Sequence, residues 1–279
     1  MSKRFHLLNL WGIPLRCNGT LFFALFLLGL FLFISSHDVM AAVRTMSAAL
    51  LTIVCVVAHE YGHALAARRM GVPVYDVYLH AFFGMTRMEP PRTSREEFMI
   101  GLAGPGTNLV LAAILAPLAW EWGRWDGWLP TGPLSIALVA NLALGTLNLV
   151  PAFPMDGGRL LRALLNLRMS DLSATRIAVG IGRFLAALMV LSPLALGFIR
   201  ISLILPVIGI LVFLLGEAEW RRVCLRAEER RVAAWLQNMQ RGEVGPGSSP
   251  LRERDDTAEP EPDPELEPGS EPPAQAPSN

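Results

Sequence analysis

The 279-residue chain is 52% hydrophobic, and its 24 Lys and Arg balance its 24 Asp and Glu. Its mean hydropathy of +0.41 comes from long apolar runs without alternation, which argues against a soluble domain and for a membrane protein. Cys17, Cys55 and Cys224 form an odd set at no metal-ligand spacing, which supports neither a disulfide framework nor a thiolate zinc site.

In chain order, apolar runs able to span a bilayer cover residues 19–36, 46–66, 98–119, 134–152, 177–198 and 201–216. The first begins only after a stretch of mixed polarity, so a retained span is expected there, not a signal peptide. Between the second and third runs, Val72 to Met88 is rich in β-branched and aromatic residues, and extended structure is expected. The fold class is therefore an all-α polytopic membrane protein of about six transmembrane helices, with a small membrane-associated β-hairpin or sheet between helices 2 and 3. Trp120, Trp122, Trp125 and Trp128 cluster between the third and fourth runs, where amphipathic rings suit a headgroup belt.

Basic residues fall on alternate connections. Lys3, Arg4 and Arg16 precede the first run, Arg68, Arg69, Arg87, Arg92 and Arg95 follow the second, and Arg159, Arg162, Arg168 and Arg176 follow the fourth. By the positive-inside rule these segments and both termini face the cytoplasm, and the low Lys to Arg ratio points to a bacterial cytoplasmic membrane. Three regions are expected: a membrane domain over residues 1–220, a juxtamembrane amphipathic helix over 221–241, and a disordered acidic, Pro-rich tail over 242–279. The lipid bilayer is the expected surroundings, no nucleic acid partner is expected, and assembly into a homo-oligomer stays open.

Inside the second run the sequence reads Val57-Ala58-His59-Glu60-Tyr61-Gly62-His63-Ala64, an H-E-x-x-H motif. Residues four apart on a helix share one face, so both imidazoles can reach one tetrahedral zinc, with Glu60 close enough to deprotonate an attacking water. Three ionisable groups within five residues of an apolar helix demand a compensating partner, and zinc supplies it. The competing reading is a polar helix-packing cluster or an ion relay. A metal transporter would be expected to bring a second ligand-bearing helix, yet only His6, His37 and His80 remain and they are scattered.

A catalytic zinc takes three protein ligands and one open position. The run from Asn148 to Arg159, NLVPAFPMDGGR, is the natural source of the third: Asp156 lies just past a span among prolines and glycines that permit an interrupted helix. Taken alone, Asp156 is as readily an N-cap or turn residue. In Gly104-Pro105-Gly106-Thr107-Asn108, the small residues permit close helix approach, and Asn108 is either interhelical glue or an amide donor to an oxyanion.

These three motifs, in this order, resemble the site-2 protease family of intramembrane zinc metalloproteases, in a short form without PDZ or CBS domains. The likeness runs over roughly residues 10 to 165 and rests on His59-Glu60-Tyr61-Gly62-His63, on Gly104 to Asn108, and on Asn148 to Gly157. It implies zinc (Zn2+) held by His59, His63 and Asp156, Glu60 as general base and acid, and a substrate or oxyanion role for Asn108. It also implies that the strand-rich segment after the zinc helix holds unwound substrate by edge pairing. Some relatives carry a His-aromatic pair where this chain has Asn18-Gly19-Thr20, so no role is transferred there.

The implied function is hydrolysis of peptide bonds in or near transmembrane segments of membrane-anchored protein substrates, in regulated intramembrane proteolysis or signal-peptide remnant clearance. A membrane metal-ion transporter and a catalytically silent scaffold are the alternatives, and the intact Glu60 speaks against the second.

Overall fold

Two strands not expected from the sequence come before any apolar helix in the computed structural model, which describes residues 4–35, 39–81, 84–127, 129–196 and 204–241. Strands β1 (Arg4–Leu10) and β2 (Ile13–Asn18) pair antiparallel through a turn in which Trp11 and Gly12 both have positive φ, the geometry that a two-residue hairpin requires. Along β2 burial alternates: Ile13, Leu15 and Cys17 point inward, while Pro14, Arg16 and Asn18 are only partly covered.

Helix α1 (Gly19–Ser35) follows, and then α2 (Val39–Arg69), which carries the H-E-x-x-H motif in its last third. The expected extended segment between α2 and α3 forms β3 (Val74–Leu79) and β4 (Gly84–Met88), an antiparallel pair. The pair is half of a larger unit, because β2 runs parallel to β3 with Leu15 opposite Val77, giving a four-stranded sheet in the order β1-β2-β3-β4. Ile13, Leu15, Cys17, Val77 and Leu79 pack beneath the sheet against Tyr61 and Ala64 of α2. The Tyr61 hydroxyl donates to the Ile13 carbonyl at 3.0 Å, so the sheet is fixed to the motif-bearing turn of α2.

A fully buried carboxylate holds three strands together. Asp76 on β3 is 0% exposed; it accepts from Arg16 of β2 at 3.1 Å and from Arg87 of β4, whose guanidinium lies 5.2 Å from the Tyr78 ring centroid. Hydrogen bonding to Asp76 raises the pKa of Arg87 above its ordinary value. A buried charge requires such pairing.

Helix α3 (Ser94–Trp122) starts from a Thr93 cap whose side chain accepts the Glu96 amide N–H, and it packs against α2, α4 and α5. Its end leads through the two-residue strands β5 (Trp125–Asp126) and β6 (Leu129–Pro130) to α4 (Pro133–Leu147). Trp120 and Trp122 are 86% and 70% exposed there, and Trp128 lies outside the described residues. On α4, the buried Asn141 donates to Cys55 Sγ of α2 and to its own helix at Ala137. Helices α5 (Asp156–Leu165), α6 (Asp171–Leu196) and α7 (Ile204–Gln240) complete the order.

Among the described residues, three helices are long and apolar enough to cross a membrane: α2, α3, and α6 over Asp171–Ser192. The six runs read from the sequence therefore do not all become helices of membrane-crossing length. Helix α1 has 17 residues and α4 has 15, about 26 Å and 22 Å at 1.5 Å per residue, against a hydrocarbon core of about 30 Å. Helix α4 stops at Leu147 because Pro151 and Pro154 cannot continue it. Helix α7 takes in residues 204–216 of the sixth run and also most of the polar segment expected as a juxtamembrane helix, so Glu217, Glu219 and Arg221 enter soon after its apolar start. The described residues divide into two units, one ending at Cys224 and the other beginning at Leu225; the acidic tail from residue 242 lies outside the described residues.

Candidate metal centre

One turn of α2 separates His59 from His63, and both are 6% exposed. Their Nε2 atoms lie 3.2 Å apart, with the rings edge to face at 83°. Asp156, the first residue of α5, brings Oδ2 to 3.1 Å from each Nε2, and its side chain is 12% exposed. The residues expected to meet do meet, although two of them are 97 and 93 positions from the third.

The segment between α4 and α5 delivers Asp156. Ala152 and Phe153 are buried at 1% and 2% exposure, and Phe153 packs on Ala178 and Val179 of α6. The Gly157 amide donates to the Asn148 carbonyl at 2.6 Å, closing the loop onto the end of α4. A Cβ at Gly157 would overlap the carbonyl oxygens of Leu149 and Val150, so the Asp-Gly pair is needed for the loop to close this tightly.

His63 Nδ1 lies 2.7 Å from the Ile100 carbonyl, which can only accept, so Nδ1 bears the proton and, in the neutral imidazole that a metal requires, Nε2 presents a lone pair. An imidazole lone pair then faces a carboxylate oxygen at 3.1 Å, an arrangement that a cation relieves. For metal–ligand distances of about 2.0–2.1 Å, a tetrahedral site has ligand–ligand separations of about 3.3 Å. The observed triangle of 3.1, 3.1 and 3.2 Å is close to that size. Two imidazole nitrogens and one carboxylate oxygen are also the donor set of known catalytic zinc sites with one open position. The residues fit zinc, and among the described residues these three are the group able to hold a metal ion.

The other two sequence candidates flank the centre. Glu60 is partly exposed, and its carboxylate Oε2 accepts from the Thr86 hydroxyl of β4 at 2.7 Å. Asn108 on α3 is 0% exposed, and neither Nδ2 nor Oδ1 has a hydrogen-bond partner among the described residues. One turn before it, Gly104 lies directly against the His63 ring. Two contributors escaped the sequence: the Ile100 carbonyl, which carries no side-chain signal, and Thr86, whose partner is 26 residues away.

Behind Asp156, on the same short helix, Arg162 bridges Glu97 of α3 and Glu219 of α7 and stacks 5.3 Å from the Phe153 ring centroid. The three side chains are 12%, 15% and 17% exposed. Burial works against the charge on Arg162, but the two carboxylates hold its pKa above the ordinary value. Arg162→Ala takes from the largely buried Glu97 its guanidinium partner and leaves Glu219 with the exposed Arg222 at 3.4 Å, so it is expected to destabilise the protein by about 3–5 kcal/mol. Denaturant unfolding in detergent checks this. Glu97→Gln, which keeps a hydrogen-bond acceptor, is expected to cost less.

A model of Peptidase family M50 matches residues 47–123 and 127–191. A zinc metalloprotease of Methanocaldococcus jannaschii is 34% identical over 226 residues, which are 80% of this chain and 62% of that protein. Rip3 of Mycobacterium tuberculosis is 38% identical over 139 residues, 48% of this chain and 34% of its own length. This chain thus spans less than two thirds of these relatives. Among solved structures, a site-2 protease from Methanocaldococcus jannaschii superposes with a TM-score of 0.56 at 31% identity, covering 78% of this chain and 95% of that one. His59 and His63, the helix of Gly104 and Asn108, and the loop of Asp156 all fall within the matched residues, and the chain belongs to peptidase family M50.

Proposed function

We propose that this integral membrane protein is an intramembrane zinc metalloprotease that hydrolyses peptide bonds in or near transmembrane segments of membrane-anchored proteins. The observation that carries this reading is the triangle of Nε2, Nε2 and Oδ2 atoms from His59, His63 and Asp156, with Glu60 adjoining it on the same helix. In this proposal the three residues are the zinc ligands. Bound zinc would supply the Lewis acidity that activates a water and polarises the scissile carbonyl.

Glu60 takes the proton of the attacking water and later delivers it to the leaving amine. The Nδ1–H bond to the Ile100 carbonyl keeps the His63 ring oriented and its Nε2 free. Asn108 is proposed as a donor to the oxyanion of the tetrahedral intermediate; its buried and unpartnered amide supports that role. A transmembrane helix hides its carbonyls in its own hydrogen bonds, so substrates need helix-weakening residues near the cut. The outer edge of β4, which pairs with no further strand among the described residues, is a candidate surface for holding the unwound segment.

The finer topology belongs to the same proposal. Helices α1, α4 and the start of α7 join the three long helices in the bilayer, giving six segments with both termini cytoplasmic. The centre then lies toward the cytoplasmic side, since Arg68 and Arg69 follow His63 closely and Arg159 follows Asp156. Residues 1–220 form the protease domain, 221–241 a juxtamembrane helix, and the tail beyond 242 is the candidate regulatory segment.

The test is cleavage of single-span substrates by purified protein in detergent, comparing wild type with Glu60→Gln while assaying zinc in both. Retained zinc with turnover reduced by about 10²–10⁴ is the expected result. Zinc-dependent transport without cleavage of any host membrane protein would favour the transporter alternative and sink this reading.

A further inference from the structure

We infer that Thr86 is a positioning residue for Glu60: the strand β4, packed against α2, aims the carboxylate that acts as base. This rests on the reading of Glu60 as the base given above. The Thr86 hydroxyl lies 2.7 Å from Glu60 Oε2 and 2.9 Å from the Glu60 carbonyl oxygen. It has one proton for two acceptors, and the charged, nearer carboxylate oxygen is the stronger one. Threonine hydroxyls usually bond to backbone within a few residues, as Thr45, Thr52, Thr107 and Thr146 do here at four residues' distance. Thr86 instead reaches 26 residues away, to another element.

Two further features make the contact directional. Threonine is branched at Cβ, so its χ1 is stiff and the hydroxyl direction is set by the strand. Gly84, two residues earlier and on the same face of β4, leaves room for the same carboxylate side chain: a Cβ there would lie 2.6 Å from Glu60 Cγ and 3.0 Å from Oε1. One face of β4 therefore offers Glu60 a gap and then a hydrogen-bond donor. The strand is itself held, because Arg87 next to Thr86 pairs with the buried Asp76 of β3. With Oε2 engaged by Thr86, Oε1 is the oxygen left to receive the proton of water.

A partly exposed glutamate has three side-chain torsions to fix. Loss of the hydroxyl returns them to rotamer averaging, which lowers the fraction of molecules with a correctly aimed base while leaving the zinc ligands unchanged. The expected cost lies in kcat, roughly ten- to a hundredfold, since misplacing a catalytic group by an ångström costs up to the larger figure.

The experiment compares Thr86→Val, which keeps the branched shape without the hydroxyl, with Thr86→Ser, which keeps the hydroxyl. A labelled single-span peptide is the probe. In Thr86→Val, kcat is expected to fall by that factor with KM within about twofold and zinc content unchanged; in Thr86→Ser, kcat returns to within about threefold of wild type. In parallel, binding of the same peptide is measured by fluorescence anisotropy in Glu60→Gln with and without Thr86→Val; equal affinity is expected. Unchanged kcat in Thr86→Val overturns the inference, as does a rise in KM alone or weakened peptide binding, either of which would make Thr86 a substrate contact. If Thr86→Val does not fold, Thr86→Ala is read in the same way, and absence of rescue by Thr86→Ser overturns it. Full activity of Glu60→Gln would instead overturn the role of Glu60, a failure distinguishable from that of Thr86.

Discussion

Asp156→Ala protein is expected to purify folded but nearly devoid of zinc, and to lose all measurable cleavage. The carboxylate makes up one corner of the proposed ligand triangle, 3.1 Å from both imidazoles, and among the described residues no other acid joins that group. Loss of an outer partner of a metal ligand typically costs 10–100-fold in affinity, so loss of a ligand should exceed about a hundredfold. The fold should survive because Asp156 opens α5 without supplying its core, which Leu160 and Ala163 provide. Competition against a zinc indicator gives the affinity, and thermal unfolding in detergent gives the stability. Retention of zinc at wild-type affinity would remove Asp156 from the ligand set and, with it, the carboxylate of the proposed site.

Much of this centre was legible in the sequence because its elements are local. His59, Glu60 and His63 lie within five residues of one helix, where the spacing of four puts both imidazoles on one face and Glu60 beside them. Asp156 stood out as an acid flanked by Pro154 and Gly157 at the end of an apolar run, and the break those residues promise is the one that forms between α4 and α5. The parts that could not be read depend on contacts far apart in sequence. Strand β2 joins β3 with Leu15 opposite Val77, and nothing near Leu15 announces that partner. Its alternation of Ile13, Leu15 and Cys17 was a usable strand signal, but it spans only a few residues beside a much longer apolar run.

The lengths of the apolar helices differ from the apolar runs for a related reason. Hydropathy registers composition but not where a helix stops, so the run through Ala152 continued past the end of α4 at Leu147. Similarly, Asp76 looks like an exposed strand residue until Arg16 and Arg87 are brought to either side of it. Its charge is satisfied by tertiary structure that no local pattern encodes.

Gly104→Ala puts two effects of opposite sign in competition, and the site is expected to lose. Inside a helix, alanine is favoured over glycine by about 0.8–1.0 kcal/mol, so on propensity alone α3 would gain. The added Cβ, however, would lie 2.5 Å from His63 Cε1 and 2.8 Å from Cδ2, well inside contact distance of a ring that is 6% exposed. Either the imidazole turns, which breaks the Nδ1 bond to the Ile100 carbonyl at 2.7 Å, or α3 moves away from α2. Both deform a triangle whose sides are 3.1 to 3.2 Å. Zinc affinity is therefore expected to fall by about tenfold or more, the scale of a lost ligand-orienting bond, and cleavage with it, while global stability changes little. Gly106→Ala is the control on the same helix, since a Cβ there meets nothing within 4 Å. That variant should keep its zinc and show only the propensity gain. If the two alanine variants bind zinc equally well, the close approach of Gly104 does not set the His63 ring, and the small residues of this motif serve helix packing alone.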